Sequence, residues 1–228
     1  MGRIVIHSLN VGKPRDLQFG KKEVTTGINK KPVTEPIYLS TLNFTGDGQG
    51  DLVNHGGKDK AVCVYPFEHY SYWESELEKP LHSGAFGENL TLRGLTEDEV
   101  YIGDSFQIGE AVVQVSQPRQ PCYKLSIVHE RNDMPVLVQN IGYTGYYFRV
   151  LKEGIVSPSD ELVHISRPTL AISVTEANRL MYHDKDNMES IQNLLKLDEL
   201  SESWRKTFLK RLAGIEAIND GKSKNASY

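Results

Sequence analysis

The sequence predicts a mainly β fold, either a barrel or a curled sheet, that is followed by a small C-terminal three-helix domain. From Arg3 to about Pro168, short apolar runs alternate with Gly, Pro, Asp and Asn, the pattern of successive strands and turns. After Pro168 the apolar residues take helical spacing and follow N-capping residues. We therefore predict a β domain at 1–168, a helical domain at 169–220 and a flexible tail at 221–228.

The predicted strands are runs rich in β-branched and aromatic residues that are bounded by Gly, Pro or Asp. Gly103-Asp104 and Gly109-Glu110 are turn signals on either side of one such run. Many short strands in succession favour a sheet that closes or curls on itself. The strands are predicted at 2–7, 37–40, 61–65, 88–92, 105–108, 111–115, 145–150 and 161–166.

A few helices interrupt the predicted strands. One is predicted at 66–77, because Pro66 suits a first helical turn and the apolar residues after it have helical spacing. Shorter helices are predicted at 125–130 and 134–140.

Capping residues and one apolar face predict the three C-terminal helices. Ser173 and Asp186 each stand three residues before a glutamate, which is the spacing of a capping box, and Ser201 can cap the third helix. The apolar face of that third helix consists of Trp204, Phe208, Leu212 and Ile215. The helices are predicted at 173–183, 187–196 and 201–216.

Charge and cysteine content exclude several classes of protein. A formal net charge of −4 disfavours a general nucleic-acid-binding protein, which needs clustered Lys and Arg. Two cysteines do not suggest a disulfide framework, and Cys63 lies in an apolar run that predicts a core position. There is neither a signal peptide nor an apolar run of about 18 residues. We therefore expect a cytoplasmic protein without a membrane partner.

Cys122 lies where a predicted strand gives way to a predicted helix, in Gln117-Pro118-Arg119-Gln120-Pro121-Cys122-Tyr123-Lys124. The two prolines stiffen the backbone before the cysteine. If a helix begins at Cys122, its free N–H groups, with Arg119 and Lys124, favour thiolate over thiol. The alternative is a buried structural cysteine, since free cysteine is often buried. The polar neighbours favour a functional thiol.

A glycine-rich stretch is a second candidate site. His55-Gly56-Gly57 is followed by Lys58 and Lys60, and paired glycines let backbone N–H groups approach an anion. The alternative is an ordinary glycine turn with solvated lysines, and His55 alone is more often a hydrogen-bonding residue than a ligand or acid. The spacing matches neither a P-loop nor a dinucleotide-binding motif.

Two more segments contain candidate ligand contacts. Asn89, which follows Phe86-Gly87-Glu88, could hydrogen-bond a polar heterocycle, although a local turn explains the segment equally well. Thr26 and Lys30 lie in a stretch with hydroxyls and lysines that could form a second anion contact. An exposed hairpin loop is the simpler interpretation of that stretch.

The order of these motifs resembles the MOSC domain, named after the C-terminal part of molybdenum cofactor sulfurase. The resemblance covers about residues 1–168. It rests on His55-Gly56-Gly57 with Asp59-Lys60-Ala61-Val62, on Phe86-Gly87-Glu88-Asn89-Leu90, and on Gln117-Pro118-Arg119 with Cys122. The segments Thr26-Gly27-Ile28 with Lys30 and Gly46-Asp47-Gly48-Gln49, together with the three C-terminal helices, are similar to the YiiM-type branch.

The resemblance implies a mixed β-barrel that binds a molybdenum cofactor, with Cys122 as the metal ligand. It implies reduction of N-hydroxylated compounds, namely hydroxylaminopurines, amidoximes and hydroxylamines, to the amine or amidine. It also implies catalytic roles for Cys122, His55 and Arg119, with His55 as a candidate proton donor. The implied cofactor-binding residues are Thr26, Lys30, His55, Gly56, Gly57, Lys60, Asn89, Arg119 and Cys122.

The implied partners are a small N-hydroxylated substrate and an external electron donor, such as a flavoprotein reductase. A donor is needed because the sequence has no flavin, haem or iron–sulfur motif. A homodimer is a further possibility. Two other functions remain open: a sulfur carrier or transferase with a persulfide on Cys122, and a non-catalytic pterin- or anion-binding module.

Overall fold

Seven strands close into a barrel of mixed direction in the structure, a computed structural model that describes residues 2–19, 22–50 and 56–225. The strands of the described residues are β1 (Ile4–Val11), β2 (Arg15–Phe19), β3 (Lys22–Thr26), β4 (Lys31–Pro32), β5 (Ile37–Leu39), β6 (Val62–Pro66), β7 (Leu90–Arg93), β8 (Ser105–Ile108), β9 (Ala111–Pro118), β10 (Tyr146–Lys152), β11 (Gly154–Val156) and β12 (Glu161–Ser166).

The ring runs β12, β8, β9, β10, β6, β7 and β1, and β1 closes it by pairing with β12 at Ile4 and Leu162. β6 and β7 are parallel, with Val64 opposite Leu90, while the other neighbours in the ring are antiparallel. β4 extends the sheet beside β1, and β2 with β3 forms a separate hairpin. A closed mixed barrel with small C-terminal helices confirms the predicted fold class.

The helices are α1 (Tyr70–Leu77), α2 (Lys124–His129), α3 (Met134–Ile141), α4 (Val174–Tyr182), α5 (Met188–Leu195) and α6 (Glu202–Asn225), and short 3₁₀ turns occupy Lys58–Lys60 and Phe67–His69. Among the described residues, every helix is too short or too polar to cross a membrane.

The C-terminal helices pack against the barrel rather than around a core of their own. Trp204 and Phe208 are fully buried, and they belong to the same apolar cluster as barrel residues such as Val113 and Phe148. Three residues of the predicted apolar face, Trp204, Phe208 and Leu212, are therefore buried in the cluster shared with the barrel, while Ile215 is half-buried. A second cluster, around Trp73 and Phe86, lies under α1, α2 and α3.

Several predicted boundaries of helices are wrong. Pro66 ends β6 with an extended backbone instead of opening a helix, and the helix begins after a 3₁₀ turn. Asn187, not Asp186, caps α5, because its side chain accepts from the Ser190 N–H. Ser173 caps α4 as predicted, through the Glu176 N–H.

The flexible tail predicted at 221–228 is also wrong in part. α6 continues to Asn225, whereas residues 226–228 lie outside the described residues. No proline follows Ile215 in the sequence, and Gly221 costs a helix only about 1 kcal/mol, so nothing local stops the helix where the prediction ended it.

Candidate functional site

An open cleft on the outer face of the barrel wall brings the separate motifs together. Its empty volume is about 550 Å³. Val62 and Val64 point into the barrel core, so the alternation of a strand turns Cys63 outward into the cleft. The lining residues are Thr26, Gly27, Ile28, Lys30, Gly48, Gln49, Gly50, Lys60, Cys63, Phe86, Gly87, Asn89, Arg119, Cys122, Lys124 and Tyr147.

Arg119 is the dominant charge of the cleft. Only 6% of it is exposed, and its guanidinium donates to the Phe86 carbonyl at 2.5 Å. Among the residues that the structure describes, no carboxylate oxygen lies within 4.0 Å of that guanidinium. A buried cation is costly without an anionic partner. The cleft therefore offers a preformed place for an anion.

Surrounding groups keep Arg119 protonated. Burial lowers the pKa of its guanidinium, but Cys63, Tyr147, Cys122 and Glu88 raise it, and the net shift is upward. The guanidinium thus stays a cation that faces two thiols and a phenol.

Two lysines add positive charge to the cleft. Lys124 is buried, with 8% exposed, and the described residues place no carboxylate within 4.0 Å of it. Lys60 lines the cleft from the end of the Lys58–Lys60 turn. Lys30 differs, because a short ion pair joins it to the buried carboxylate of Asp47. Lys30 therefore contributes structure more than net charge.

Cys122 lies at the partly exposed edge of the cleft, two residues before α2 begins at Lys124. The helix does not begin at Cys122, which corrects the geometry considered from the sequence. The Cys122 carbonyl instead accepts from the Leu125 N–H at 3.0 Å and leads into the helix. Cys122 nevertheless lines the same cleft as Arg119 and Lys124, the two cations expected near it.

The walls of the cleft are held by close backbone packing. Thr26 and Lys30 are buried, so the exposed hairpin loop considered from the sequence is wrong for these residues. At Gly27 a Cβ would lie 2.3 Å from the Gly48 carbonyl oxygen. Only glycine lets the segments around residues 27 and 48 touch in this way.

Asn89 lines the cleft, but its side-chain amide forms hydrogen bonds within the protein. Its Oδ1 accepts from the Cys63 N–H at 3.0 Å, and its Nδ2 donates to the Asn10 carbonyl and to Asp47 at 3.2 and 2.8 Å. Glu88 is fully buried and accepts from Gly84, Phe86, Tyr70 and Thr91. This segment therefore shapes the cleft through internal hydrogen bonds.

The glycine-rich stretch is only partly accounted for. His55, a candidate catalytic and cofactor-binding residue, lies outside the described residues. Gly56 and Gly57 precede the Lys58–Lys60 turn and do not line the cleft, and Gly57 is exposed with a φ of 95°. Of this stretch, Lys60 lines the cleft.

Sequence reasoning missed two lining residues. Cys63, placed in the core, is buried but also faces the cleft, and burial raises the pKa of its thiol to about 11. Tyr147 lies opposite Cys63 in the β10–β6 pairing, and burial raises the pKa of its phenol. The alternation of side chains along β6, with Val62 and Val64 directed inward, could have indicated that Cys63 faces outward. Tyr147 could not be found in this way, because no local signal in the sequence pairs β10 with β6.

A metal held by protein ligands alone is not supported by the described residues, which contain no group of three or more His, Cys, Asp or Glu side chains suited to one. The cleft instead combines one accessible thiol with buried cations. A metal that arrives with its own organic, anionic ligand fits these residues, because the thiol can complete its coordination and the cations can balance the charge.

The chain matches known protein families along most of its length. The MOSC domain matches residues 51–163, and the YiiM-like, 3-alpha helix domain matches residues 172–214. YflK of Bacillus subtilis is 55% identical over 92% of this chain and 95% of its own length. The crystal structure of YiiM from Geobacillus stearothermophilus has a TM-score of 0.79 at 44% identity, covering 92% of this chain and 99% of the other.

A more distant relative has a functional name. A protein of Gibberella moniliformis named "Reductase" is 33% identical over 70% of this chain, which spans only 29% of that protein. Strands β6 to β11 lie within the MOSC match, and all three C-terminal helices begin within the match to the helix domain. The chain is a member of the MOSC family of the YiiM type.

Proposed function

We propose that the chain is a molybdenum-cofactor-dependent reductase of N-hydroxylated compounds, with Cys122 as its ligand to the metal. The observation that carries the proposal is the pairing, in one cleft, of an accessible thiol with the buried guanidinium of Arg119, which forms no ion pair with a carboxylate of the described residues. Family membership supplies the identity of the expected anion, because the MOSC domain takes its name from molybdenum cofactor sulfurase. The relative named a reductase supports redox chemistry.

The residues of the cleft suit the parts of such a cofactor. A thiolate from Cys122 is a soft ligand of the kind that favours molybdenum. Arg119, Lys60 and Lys124 would balance the charge of a pterin phosphate, with Thr26 and the glycine walls beside it. When bound, the cofactor supplies two-electron chemistry that cleaves the N–O bond of the substrate and leaves an amine or an amidine.

The chain's own groups would orient the ligand and manage protons. Arg119 keeps its positive charge near the reacting region because its pKa is raised, and Tyr147 keeps its phenolic proton because burial raises its pKa. Tyr147 is therefore a hydrogen-bond donor at neutral pH. His55 stays a predicted proton donor, and the cytoplasmic flavoprotein donor of electrons stays a proposal.

Turnover with a chemical reductant tests the proposal. Full-length protein loaded with the cofactor is mixed with reduced methyl viologen and one substrate at a time: 6-hydroxylaminopurine, benzamidoxime or hydroxylamine. The expected result is oxidation of the dye with formation of the amine or amidine. Cys122→Ser is expected to lose this activity. Full cofactor loading without turnover on any of the three would point to a binding module. A persulfide on Cys122 in metal-free protein would point to a sulfur carrier.

A further inference from the structure

The turn that carries Lys60 is not fixed by apolar packing. None of the residues in Lys58–Lys60 is buried. Apolar contacts hold an element through its buried side chains, so polar contacts matter more for this turn. Asp59, the middle residue of the turn, makes several of them.

Three parts of the fold hold Asp59. Its Oδ1 accepts from Nε of Arg149 on β10 at 3.0 Å and forms an ion pair with Nη2 of the same residue at 2.9 Å. Its carbonyl accepts from Ser116 Oγ on β9 at 2.5 Å. Its Oδ2 accepts from the N–H of Glu202, the first residue of α6, at 3.1 Å. Asp59 thus ties the turn to β10 and to the last helix through its side chain, and to β9 through its backbone carbonyl.

The same end of α6 is tied to β9 directly. The Ser201 N–H donates to the Ser116 carbonyl at 2.9 Å, and Ser203 Oγ donates to Gln117 Oε1 at 3.0 Å. Gln117 lies five positions before Cys122. The start of α6 therefore contacts both segments that lead into the cleft, the one with Lys60 and the one with Cys122.

The Asp59 carboxylate is stabilised both by the start of α6 and by its ion pair with Arg149. A helix N-terminus has free N–H groups and a partial positive charge, so a carboxylate at that position is stabilised. The Asp59 and Arg149 side chains are only 17% and 16% exposed, so their ion pair is screened less than a surface pair. Asp59 consequently has one preferred position, which also fixes that of Lys60.

We propose that Asp59 is a positioning residue through which the C-terminal helices hold the cationic wall of the cleft in place for a phosphate-bearing ligand. The proposal deepens the proposed function, because it rests on the cleft as an anion site. It assigns the helices a role in shaping the cleft itself, carried by the contact between Asp59 and Glu202.

Two measurements on cofactor-free, full-length protein test the proposal: amide hydrogen exchange and titration with inorganic phosphate. Asp59→Ala is expected to speed exchange both at the Lys60 N–H, which donates to the Gly57 carbonyl, and at Ser201 and Glu202. Phosphate affinity is expected to fall by about tenfold, as for other residues that orient a binding group. Asp59→Glu should restore part of both effects.

A matched control separates positioning from general loss of stability. Asp184 also makes an ion pair, with Arg179, and accepts a hydrogen bond from the side chain of Asn187 at the start of α5. No contact joins it to the Lys58–Lys60 turn among the described residues. Asp184→Ala should leave exchange at Lys60 and phosphate affinity at wild-type values.

The outcomes distinguish this proposal from the proposed function. Wild-type phosphate affinity in Asp59→Ala, with faster exchange confined to α6, would overturn the positioning role alone. Failure of the wild type to bind phosphate would overturn the anion site, and with it the basis of both proposals. Faster exchange at Lys60 in the Asp184→Ala control would also overturn the assignment to Asp59.

Discussion

At the scale of single residues, Arg119 and Cys122 distinguish this cleft from an ordinary polar groove. Arg119 is buried and forms no ion pair with a carboxylate in the part of the chain that the structure describes. Such a cation lowers the stability of the free protein, but it favours the binding of an anion. Such a conflict between folding and binding is expected at a functional site.

Replacement of Arg119 tests that conflict. In Arg119→Met the unfolding free energy of the cofactor-free protein should stay within about 1 kcal/mol of wild type, since loss of the donor to Phe86 is offset by loss of a buried charge. Cofactor content after purification should fall at least tenfold. Chemical denaturation and pterin analysis measure the two effects. A large loss of stability with full cofactor content would show that Arg119 is structural.

At the scale of elements, the cleft depends on glycines that let its walls touch. Gly87 has a φ of 78°, and a Cβ there would lie 2.6 Å from Ile28 Cγ1. Both the backbone conformation and the contact oppose any larger residue.

Gly87→Ala should therefore lower the unfolding free energy by about 1–3 kcal/mol, which corresponds to a drop in Tm of about 2–4 °C per kcal/mol. Differential scanning calorimetry measures it. Gly214→Ala is the matched control, because a Cβ built there would have no atom of the described residues within 4 Å, apart from its chain neighbours and its own helix backbone. Alanine also favours a helix, so the Tm of this variant should stay or rise. Equal Tm values for the two variants would contradict this account of the walls.

Local patterns in the sequence predicted most elements of the fold but not their neighbours. Alternating residues fixed strands such as β8 and β12 to within a residue, because that signal is local. The position of β10 between β9 and β6 has no local signal, so Tyr147 could not be placed in the cleft. The cap of α5 was misplaced by one residue, since Asp186 and Asn187 are both good caps and only the Ser190 N–H decides between them.

The candidate site was predicted through the order of its motifs rather than through physical reasoning on each one. Thr26 and Lys30 alone suggested an exposed loop, yet both are buried at the cleft. Asn89 lines the cleft, but its hydrogen bonds to Cys63 and Asp47 depend on contacts distant in sequence. Long-range contacts of this kind are invisible to a pattern that covers a few residues.

At the scale of the whole molecule, the barrel and the helices share one apolar cluster, so we expect them to unfold together.

His129 makes the stability of the folded protein depend on pH. Burial, with Lys79 and Arg119 nearby, lowers the pKa of its imidazole to about 4 from an ordinary value of 6.5, although a backbone contact with Ala85 opposes the shift. The neutral form is therefore the one that the folded protein accepts.

Because the folded pKa lies below the unfolded one, the contribution of His129 is intact above pH 6.5 and is lost as the pH falls towards 4. The loss amounts to roughly 3 kcal/mol when both states are fully protonated. His129→Leu should flatten the fall in stability over this range, which urea unfolding at successive pH values measures. An identical pH profile for variant and wild type would contradict a neutral, buried His129.

The proposed function depends on Cys122 as the ligand to the metal of a molybdenum cofactor. This role is tested by the molybdenum and pterin content of protein purified from a host that makes the cofactor, for wild type, Cys122→Ser and Cys63→Ser. We expect about one molybdenum per chain in the wild type, loss of the metal in Cys122→Ser, and retention in Cys63→Ser, since the raised pKa of Cys63 keeps it a thiol. Metal retained in Cys122→Ser, or metal absent from all three while Cys122 accepts a persulfide from a sulfur donor, would contradict it.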